Sequence, residues 1–206
     1  MITFKHMTRL IICCLLCLPT IGCISAKYVG HQQYLLNIKA LPEKKITKNK
    51  RSIFVDQITA ITPYDQVDFL YRISATQYLT DYYHSFLVSP TEQLEPALAN
   101  YLKALGKFNL DAAESLTPQN KLQVQISELY ADYRNRACPQ AVVAIHFILT
   151  KQTNTKNDIL FDQTLSAKVA LKEKDTNSLL AAWSKGLQSI LTRGVRALNI
   201  AASKTN

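Results

Sequence analysis

The sequence predicts an α/β protein of the α+β type, a single domain with two main helices packed on a mixed β-sheet of about five to six strands. Apolar and polar residues alternate in several segments before residue 90 and after residue 120, as in half-buried strands. Two other segments carry apolar residues at spacings of three and four, as in amphipathic helices. The order β-β-β-α-β-β-β-α suits helices layered on one sheet.

The first strands are predicted in the segments 34–38, 52–61 and 67–74. The aromatic-rich segment 77–88 predicts one or two further short strands. The alternation is clearest in the third segment, which places four apolar side chains on one face: Val67, Phe69, Tyr71 and Ile73.

A first helix is predicted from the apolar residues that recur between residues 94 and 105. Ser89 and Glu92 have the spacing of a capping box. A helix that began there would place Pro96 in its interior, where a proline costs about 3 kcal/mol. We therefore expect the regular helix to begin near Gln93.

Three strands are predicted after this helix. In the segment 122–133 the apolar residues change parity at Glu128, which predicts a β-bulge. The segment 141–149 is apolar on both faces, as expected of a covered central strand. The segment 161–172 alternates and is therefore half-exposed, and the polar residues 151–158 predict a hairpin loop before it.

The second, long helix is predicted at the C-terminal end, over residues 177–202. At 1.5 Å per residue it measures roughly 40 Å, enough to cross the whole sheet. Trp183 lies on its apolar side and is interpreted as a helix-to-sheet packing residue.

Residues 1–22 have the form of a secretory signal peptide. Lys5 and Arg9 precede an unbroken apolar run over residues 10–18. A membrane-spanning helix needs about 20 apolar residues, so we expect export and cleavage instead. Because Lys5 and Arg9 carry two of the nine net positive charges, the mature chain keeps a formal charge of +7.

Cys23 is predicted to be a lipid-attachment residue. Residues 20–23, Thr-Ile-Gly-Cys, resemble the lipobox of bacterial lipoproteins, in which a small residue precedes the cysteine that receives diacylglycerol. Gly22 is then the residue at the signal cleavage site. The alternative is an ordinary signal cut beside a bystander Cys23. Three further cysteines lack a small residue before them: Cys13, Cys14 and Cys17.

Acylation of Cys23, by palmitate or a similar chain, would anchor the protein to a membrane, because two or more acyl chains bind stably. In lipoproteins an Asp after the cysteine is the usual signal for inner-membrane retention. Ile24 stands there instead, which favours the outer membrane and a domain that faces the periplasm. The predicted organisation is a signal peptide at 1–22, a lipidated tether at 23–33 and one domain at 34–206.

Several other classes are disfavoured. Three of the four N-terminal cysteines would leave with the signal, so neither a metal site nor a disulfide framework is expected. Cys138 remains as an odd thiol beside Pro139, predicted to be half-buried in a turn. The basic run 44–51 is either a contact for anionic lipid or a solvated linker. Neither a nucleic-acid motif nor a cofactor motif is present in the sequence.

The sequence also predicts that the protein is not an enzyme. It lacks GxSxG, P-loop, HExxH and CxxC motifs in the mature chain. His146, in an apolar strand, is interpreted as a core or sheet-face residue rather than a catalytic one. Asp81 and His84 have no nucleophile tied to them. Their aromatic neighbours are interpreted as core or a subunit interface, with a peptide or lipid groove as the alternative: Tyr78, Tyr82, Tyr83 and Phe86.

Several features of the chain occur together in one family of lipoproteins. They are the Cys23 lipobox, Tyr34-Leu35-Leu36, the segment 52–58, Pro63-Tyr64-Asp65 with Tyr71-Arg72, the 94–105 helix, and the run 180–187 that contains Trp183. In these features the chain resembles the ABC-type transport auxiliary lipoproteins, the family that includes PqiC and YmbA.

This resemblance implies a role in transport between membranes. It implies partnership with an ABC transporter or an MCE-type protein, attachment to outer-membrane lipid through acylated Cys23, and a cargo of phospholipid or another apolar compound. Some members of the family form rings, which implies a homo-oligomer. Two alternatives stay open: a lipopolysaccharide-assembly lipoprotein, and a structural lipoprotein of the cell envelope.

Overall fold

The computed structural model describes residues 30–42, 51–105, 108–110, 120–152 and 156–204. In chain order the strands and helices are β1 (Gln32–Tyr34), β2 (Arg51–Ala60), β3 (Asp68–Arg72), β4 (Tyr78–Phe86), α1 (Pro90–Ala104), β5 (Phe108–Leu110), β6 (Asn120–Asp132), β7 (Gln140–Gln152), β8 (Asn157–Ala170) and α2 (Thr176–Ser203).

The sheet is organised around β6. On one edge β6 pairs antiparallel with β7, which pairs antiparallel with β8. The other edge of β6 is shared: β2 lies parallel to its first half and β3 parallel to its end. Beyond β3 follow β4 and then β1, and beyond β2 follows β5.

The predicted fold class is confirmed, but the sheet has eight strands rather than five or six. The segments predicted one by one correspond to seven of these strands, which is more than the five or six expected for the sheet; the eighth, β5, has three residues and was not indicated by the sequence. Three residues contain too little alternation to be recognised. β5 is a strand because it pairs with the start of β2.

The long helix α2 lies where it was predicted, and it packs on β7 and β8. Trp183 is fully buried, with its ring 5.2 Å from that of Phe69 and its indole N–H donated to the carbonyl of Tyr130. Its interpretation as a packing residue is therefore correct. The helix α1 packs on β2, β5 and α2 around the same core.

The start of α1 differs from the expectation. The helix begins at Pro90, with Ser89 as N-cap accepting the N–H of Glu92 at 3.2 Å, so the N-cap bond of the predicted capping box forms and the expected start near Gln93 is wrong. Pro96 lies inside the helix on its exposed side. The opposite side of the helix buries Leu94, Leu98 and Leu102. This burial outweighs the loss of the backbone hydrogen bond that Pro96 cannot donate.

The expected strand at 34–38 is wrong after Tyr34. β1 ends there, and residues 35–42 instead cross the helices as an extended strap. Backbone N–H groups of the strap donate to side chains of both helices: Leu36 to Gln93 at 2.7 Å, Asn37 to Ser184 at 3.0 Å and Leu41 to Asn100 at 2.8 Å. These partners satisfy the backbone as a strand partner would have done.

The predicted β-bulge in β6 is confirmed, since the register with β7 shifts between Ile126 and Glu128. β7 is paired on both edges, but it is covered on both faces only in its first half. There Val142 packs on the face away from the main core, with Tyr64, Leu70 and Tyr130. Farther along, His146 and Ile148 on that same face are half-buried.

Candidate functional site: an exposed aromatic bulge

The predicted attachment residue Cys23 and the predicted cleavage-site residue Gly22 lie outside the described residues, as do residues 44–50 of the basic run. The described chain begins at Gly30, directly before His31 and β1. The edge formed by β1 and β4 is therefore the part of the described fold that is nearest in sequence to Cys23.

This edge carries a large irregularity in β4. Leu70 of β3 pairs with Thr80, whereas Asp68 pairs with Ser85. Residues 81–84 of β4 therefore lie opposite the single residue Phe69 and form a bulge in the pairing with β3, while His84 still pairs with Gln32 of β1. We call residues 81–84 the aromatic bulge.

Asp81 holds the bulge in shape. Its Oδ1 atom accepts the backbone N–H groups of Tyr83 at 2.8 Å and His84 at 3.1 Å. Its Oδ2 atom accepts the Tyr71 hydroxyl at 2.6 Å and lies 2.8 Å from His84 Nδ1. The carboxylate is thus used to fold the chain, as in an Asx turn.

The electrostatics agree with this structural role. Burial raises the pKa of Asp81, but hydrogen bonds from Tyr71, Tyr83 and His84 outweigh it and leave that pKa below its ordinary value. Burial, followed by the bond to Asp81, raises the pKa of Tyr71. The pair therefore stays a neutral phenol hydrogen-bonded to a carboxylate at neutral pH.

His31, the residue directly before β1, braces the bulge. Its Nδ1 atom is 3.0 Å from the carbonyl of Tyr82, and its Nε2 atom is 2.9 Å from Ser85 Oγ. A carbonyl only accepts, so Nδ1 carries the proton and Nε2 accepts from the Ser85 hydroxyl. His31 and the bulge in β4 are thereby fixed to each other.

The bulge presents aromatic side chains to solvent. Tyr82 is 82% exposed and Tyr83 46%, with their rings 5.3 Å apart and edge-to-face. These two tyrosines are therefore not core residues, so of the predicted core or subunit interface only the interface stays a prediction for them; of the predicted cluster, Phe86 alone is fully buried. In a regular strand adjacent residues point to opposite faces, so Tyr82 and Tyr83 could not both lie in the core. Two adjacent tyrosines between the polar residues Asp81 and His84 were therefore a signal in the sequence that β4 is interrupted here.

A surface cavity of about 500 Å³ adjoins the bulge, between β3, β4 and the start of α2. Its lining combines apolar, phenolic and cationic groups: Ile73, Leu79, Leu179, Tyr71, Tyr133, Arg136 and Lys174. Asp81 also lines it, but both of its oxygens are already hydrogen-bonded. Asp175, the N-cap of α2, lines it as well and accepts the N–H of Ser178 at 2.6 Å. The cavity thus presents apolar surface together with charged groups of both signs, as a site for an amphipathic group would.

The other polar residues singled out in the sequence are separate from the bulge. His146 lies on the helix-free face of the sheet, with Nε2 2.6 Å from Asp162 Oδ1, which confirms its interpretation as a sheet-face residue. Cys138 lies in the turn before β7 but is exposed, so its predicted half-burial is wrong. Within the described ranges, three or more His, Cys, Asp or Glu side chains are nowhere grouped as metal ligands would be.

The family model of the ABC-type transport auxiliary lipoprotein component matches residues 34–193. The chain belongs to this family. The match covers every strand and helix of the fold from the end of β1 to most of α2. The exposed aromatic bulge is therefore a feature of a transport auxiliary lipoprotein, a component whose family name assigns it to assist transport.

Solved structures share the fold of this auxiliary lipoprotein. Protein XCC0632 from Xanthomonas campestris is 16% identical with a TM-score of 0.72, and 84% of this chain and 97% of that chain are covered. The hypothetical protein CT253 from Chlamydia trachomatis is 11% identical with a TM-score of 0.52, covering 74% and 96%. At these identities the likeness concerns the fold alone. Among curated protein sequences, none matches this chain.

The auxiliary lipoprotein has no membrane-spanning helix among its described residues, since neither α1 nor α2 is both long and apolar enough. Three of the residues in the features shared with the family have identifiable places in the fold. Tyr34 ends β1, Pro63 follows a cis peptide bond after β2, and Trp183 is at the centre of the core.

Proposed function

We propose that this protein is an outer-membrane-anchored lipoprotein that faces the periplasm and acts as a non-enzymatic accessory subunit of an ABC- or MCE-type transport system. The cargo of that system is lipid or another apolar compound. The observation that carries the proposal is the combination of a lipobox at Cys23 with a domain of the transport auxiliary lipoprotein family. The proposed organisation is a signal peptide at 1–22, a lipidated tether at 23–33 and the domain at 34–206.

The membrane anchor is supported by the N-terminal sequence. The apolar run at 10–18 is short for a membrane span and ends just before Gly22 and Cys23. Two or more acyl chains on Cys23 hold a protein on a bilayer stably. Ile24, in place of an Asp retention signal, supports transfer to the outer membrane.

A non-enzymatic role is supported by the way the polar groups are used. Each histidine of the described residues has a hydrogen-bonding contact with another side chain of the fold: His31 with Ser85, His84 with Asp81 and His146 with Asp162. Exposed aromatic side chains and an open cavity are instead features of surfaces that bind partners.

Association with further chains is supported by the open edge of the sheet. β8 is 14 residues long, and in the described structure it pairs only with β7. A long edge strand is a site to which another strand can add. We propose that the protein uses such surfaces to bind transporter subunits and to form homo-oligomers.

The anchor is tested by Cys23→Ser in the full chain, with Cys17→Ser as the matched control. The two cysteines are six residues apart, but only Cys23 follows a small residue. We expect Cys23→Ser to remain unprocessed and to be lost from the outer-membrane fraction, while Cys17→Ser is processed normally. Normal processing and retention of Cys23→Ser would refute lipid attachment at this residue.

The transport role is tested by purifying the detergent-extracted, lipidated protein together with its bound proteins. Mass spectrometry should find an acylated N-terminal Cys23 and an MCE or ABC transporter subunit. If only an outer-membrane barrel or peptidoglycan-associated proteins are bound, the transport role is wrong and the assembly or structural roles replace it.

A further inference from the structure

We infer that the aromatic bulge rests on the surface of the membrane that holds acylated Cys23, with Tyr82 and Tyr83 at the level of the lipid head groups. The inference rests on the proposed function, because it takes acylated Cys23 as the anchor. It goes beyond that function in assigning a membrane-contact surface to the folded domain and so an orientation on the bilayer.

Exposed hydrophobic side chains are concentrated at the edge of the sheet formed by β1 and β4. Of the eleven large ones among the described residues, seven lie in β4 or directly beside it or β1: Leu35, Tyr78, Leu79, Tyr82, Tyr83, Leu87 and Val88. Single exposed apolar residues are ordinary, but such a concentration marks an interaction surface.

The length of the chain before the fold brings this edge to the membrane. His31, which braces the bulge, comes eight residues after Cys23. Eight residues reach at most about 29 Å even when fully extended. β8 is five strands away from β1 through β4, β3, β6 and β7, or roughly 24 Å at the usual strand spacing. An anchored Cys23 therefore holds His31 and the edge formed by β1 and β4 within about 29 Å of the bilayer, whereas β8 can lie about 24 Å farther away.

The chemistry of the bulge suits a lipid surface. A tyrosine joins an apolar ring to a hydroxyl, and this residue type is enriched where hydrocarbon meets head groups. The carboxylate of Asp81 is turned into the fold, where its four hydrogen-bonding contacts satisfy it, so the bulge brings no free negative charge to the lipid. Because Asp81 and His31 already fix the backbone, contact with the membrane costs little ordering.

The test places a tryptophan in the bulge of the acylated full-length mature protein. The chain has one tryptophan, Trp183, which is fully buried and supplies a constant reference emission. Tyr82→Trp adds an indole at the exposed tip. Ile159→Trp is the matched control, because Ile159 is 65% exposed but lies on β8.

Each variant is reconstituted in vesicles of phosphatidylethanolamine and phosphatidylglycerol that contain a lipid with a nitroxide on its head group. We expect the added indole of Tyr82→Trp to lose most of its emission to the nitroxide and to be shielded from iodide in the water. The added indole of Ile159→Trp should keep its emission and be quenched by iodide.

The other outcomes separate the inference from the anchor. If the protein is acylated and vesicle-bound but Tyr82→Trp is quenched no more than Ile159→Trp, the inference is wrong and the anchor stands. If the indole of Tyr82→Trp is shielded from both quenchers, another protein surface covers the bulge, which also overturns the inference. If the protein is neither acylated nor vesicle-bound, the anchor itself is refuted.

Discussion

Gly194 of α2 lies so close to Phe147 of β7 that a Cβ atom at position 194 would be 3.0 Å from the Cζ atom of the ring. Gly186, about two turns earlier on the same helix, has more room, since its Cβ would lie 3.5 Å from Val143 Cγ2. The two glycines thus face the same sheet with different clearances, and only Gly194 is needed for the close approach of helix and strand.

This difference predicts opposite effects for Gly186→Ala and Gly194→Ala. Either change gains up to about 1 kcal/mol of helix propensity. At position 194 overpacking against the fully buried Phe147 costs about 1–3 kcal/mol. We expect urea denaturation to show Gly186→Ala stabilised and Gly194→Ala destabilised. Equal stabilisation of both variants would mean that the Phe147 ring moves aside without cost.

The hydrogen-bonded Asp81 predicts a loss of stability in acid. Because its folded pKa is lowered, Asp81 stabilises the fold fully above its unfolded pKa, about 3.9, and that contribution is lost as the pH falls through the folded pKa. Asp81→Asn should lower the free energy of unfolding at pH 7 by about 1.5–3 kcal/mol, the usual contribution of hydrogen bonds to a charged group. Below pH 4 the free energy of unfolding of Asp81→Asn should change less steeply with pH than that of the wild type.

The matched control for this prediction is Asp158→Asn. Asp158 forms an exposed ion pair with Lys156 at 3.9 Å, and such pairs contribute about 0–1 kcal/mol. Denaturation measured from pH 2 to pH 7 compares the two variants. If Asp81→Asn follows the pH profile of the wild type, the charge of Asp81 is not what holds the bulge.

Two substitutions in the first turns of α1 should change the stability of the protein in opposite directions. Ser89→Ala removes the acceptor of the Glu92 N–H and should destabilise the protein by about 0.5–2 kcal/mol. Pro96→Ala restores a backbone donor on the exposed side of the helix, with a gain of up to about 3 kcal/mol. Part of that gain, about 0.4–1 kcal/mol, is lost because the unfolded chain becomes less restricted. Thermal denaturation measures both, and a lower Tm for Pro96→Ala would contradict the account.

Because the thiol of Cys138 is exposed, we expect the substitution Cys138→Ser to change disulfide formation but not stability. Cys138→Ser should alter the free energy of unfolding by less than about 0.5 kcal/mol, as is usual for a surface substitution. If Cys23 is acylated, Cys138 carries the remaining thiol of the mature chain, and Cys138→Ser should abolish covalent dimers on a non-reducing gel. Dimers that persist in Cys138→Ser would mean that the Cys23 thiol is free.

The sequence predicted best where a segment is long and its pattern is sustained. The helix α2 lies at Thr176–Ser203, close to its predicted bounds, because many turns of apolar spacing leave one arrangement of its buried face. The bulge in β6 was predicted because a change of parity must move side chains to the other face unless an extra residue is inserted. The family was predicted from a combination of such segments and is confirmed over residues 34–193.

The sequence by itself determined the fold class, the long helix, the family and the candidate attachment residue Cys23, because these depend on local or periodic patterns. The tertiary structure decided the strap at residues 35–42 and the display of Tyr82 and Tyr83. Both depend on partners far away in the chain: Asn37 and Ser184 are 147 residues apart, and His31 and Ser85 are 54 apart. A backbone segment takes whichever partner satisfies its polar groups, and for these segments only the folded chain supplies that partner.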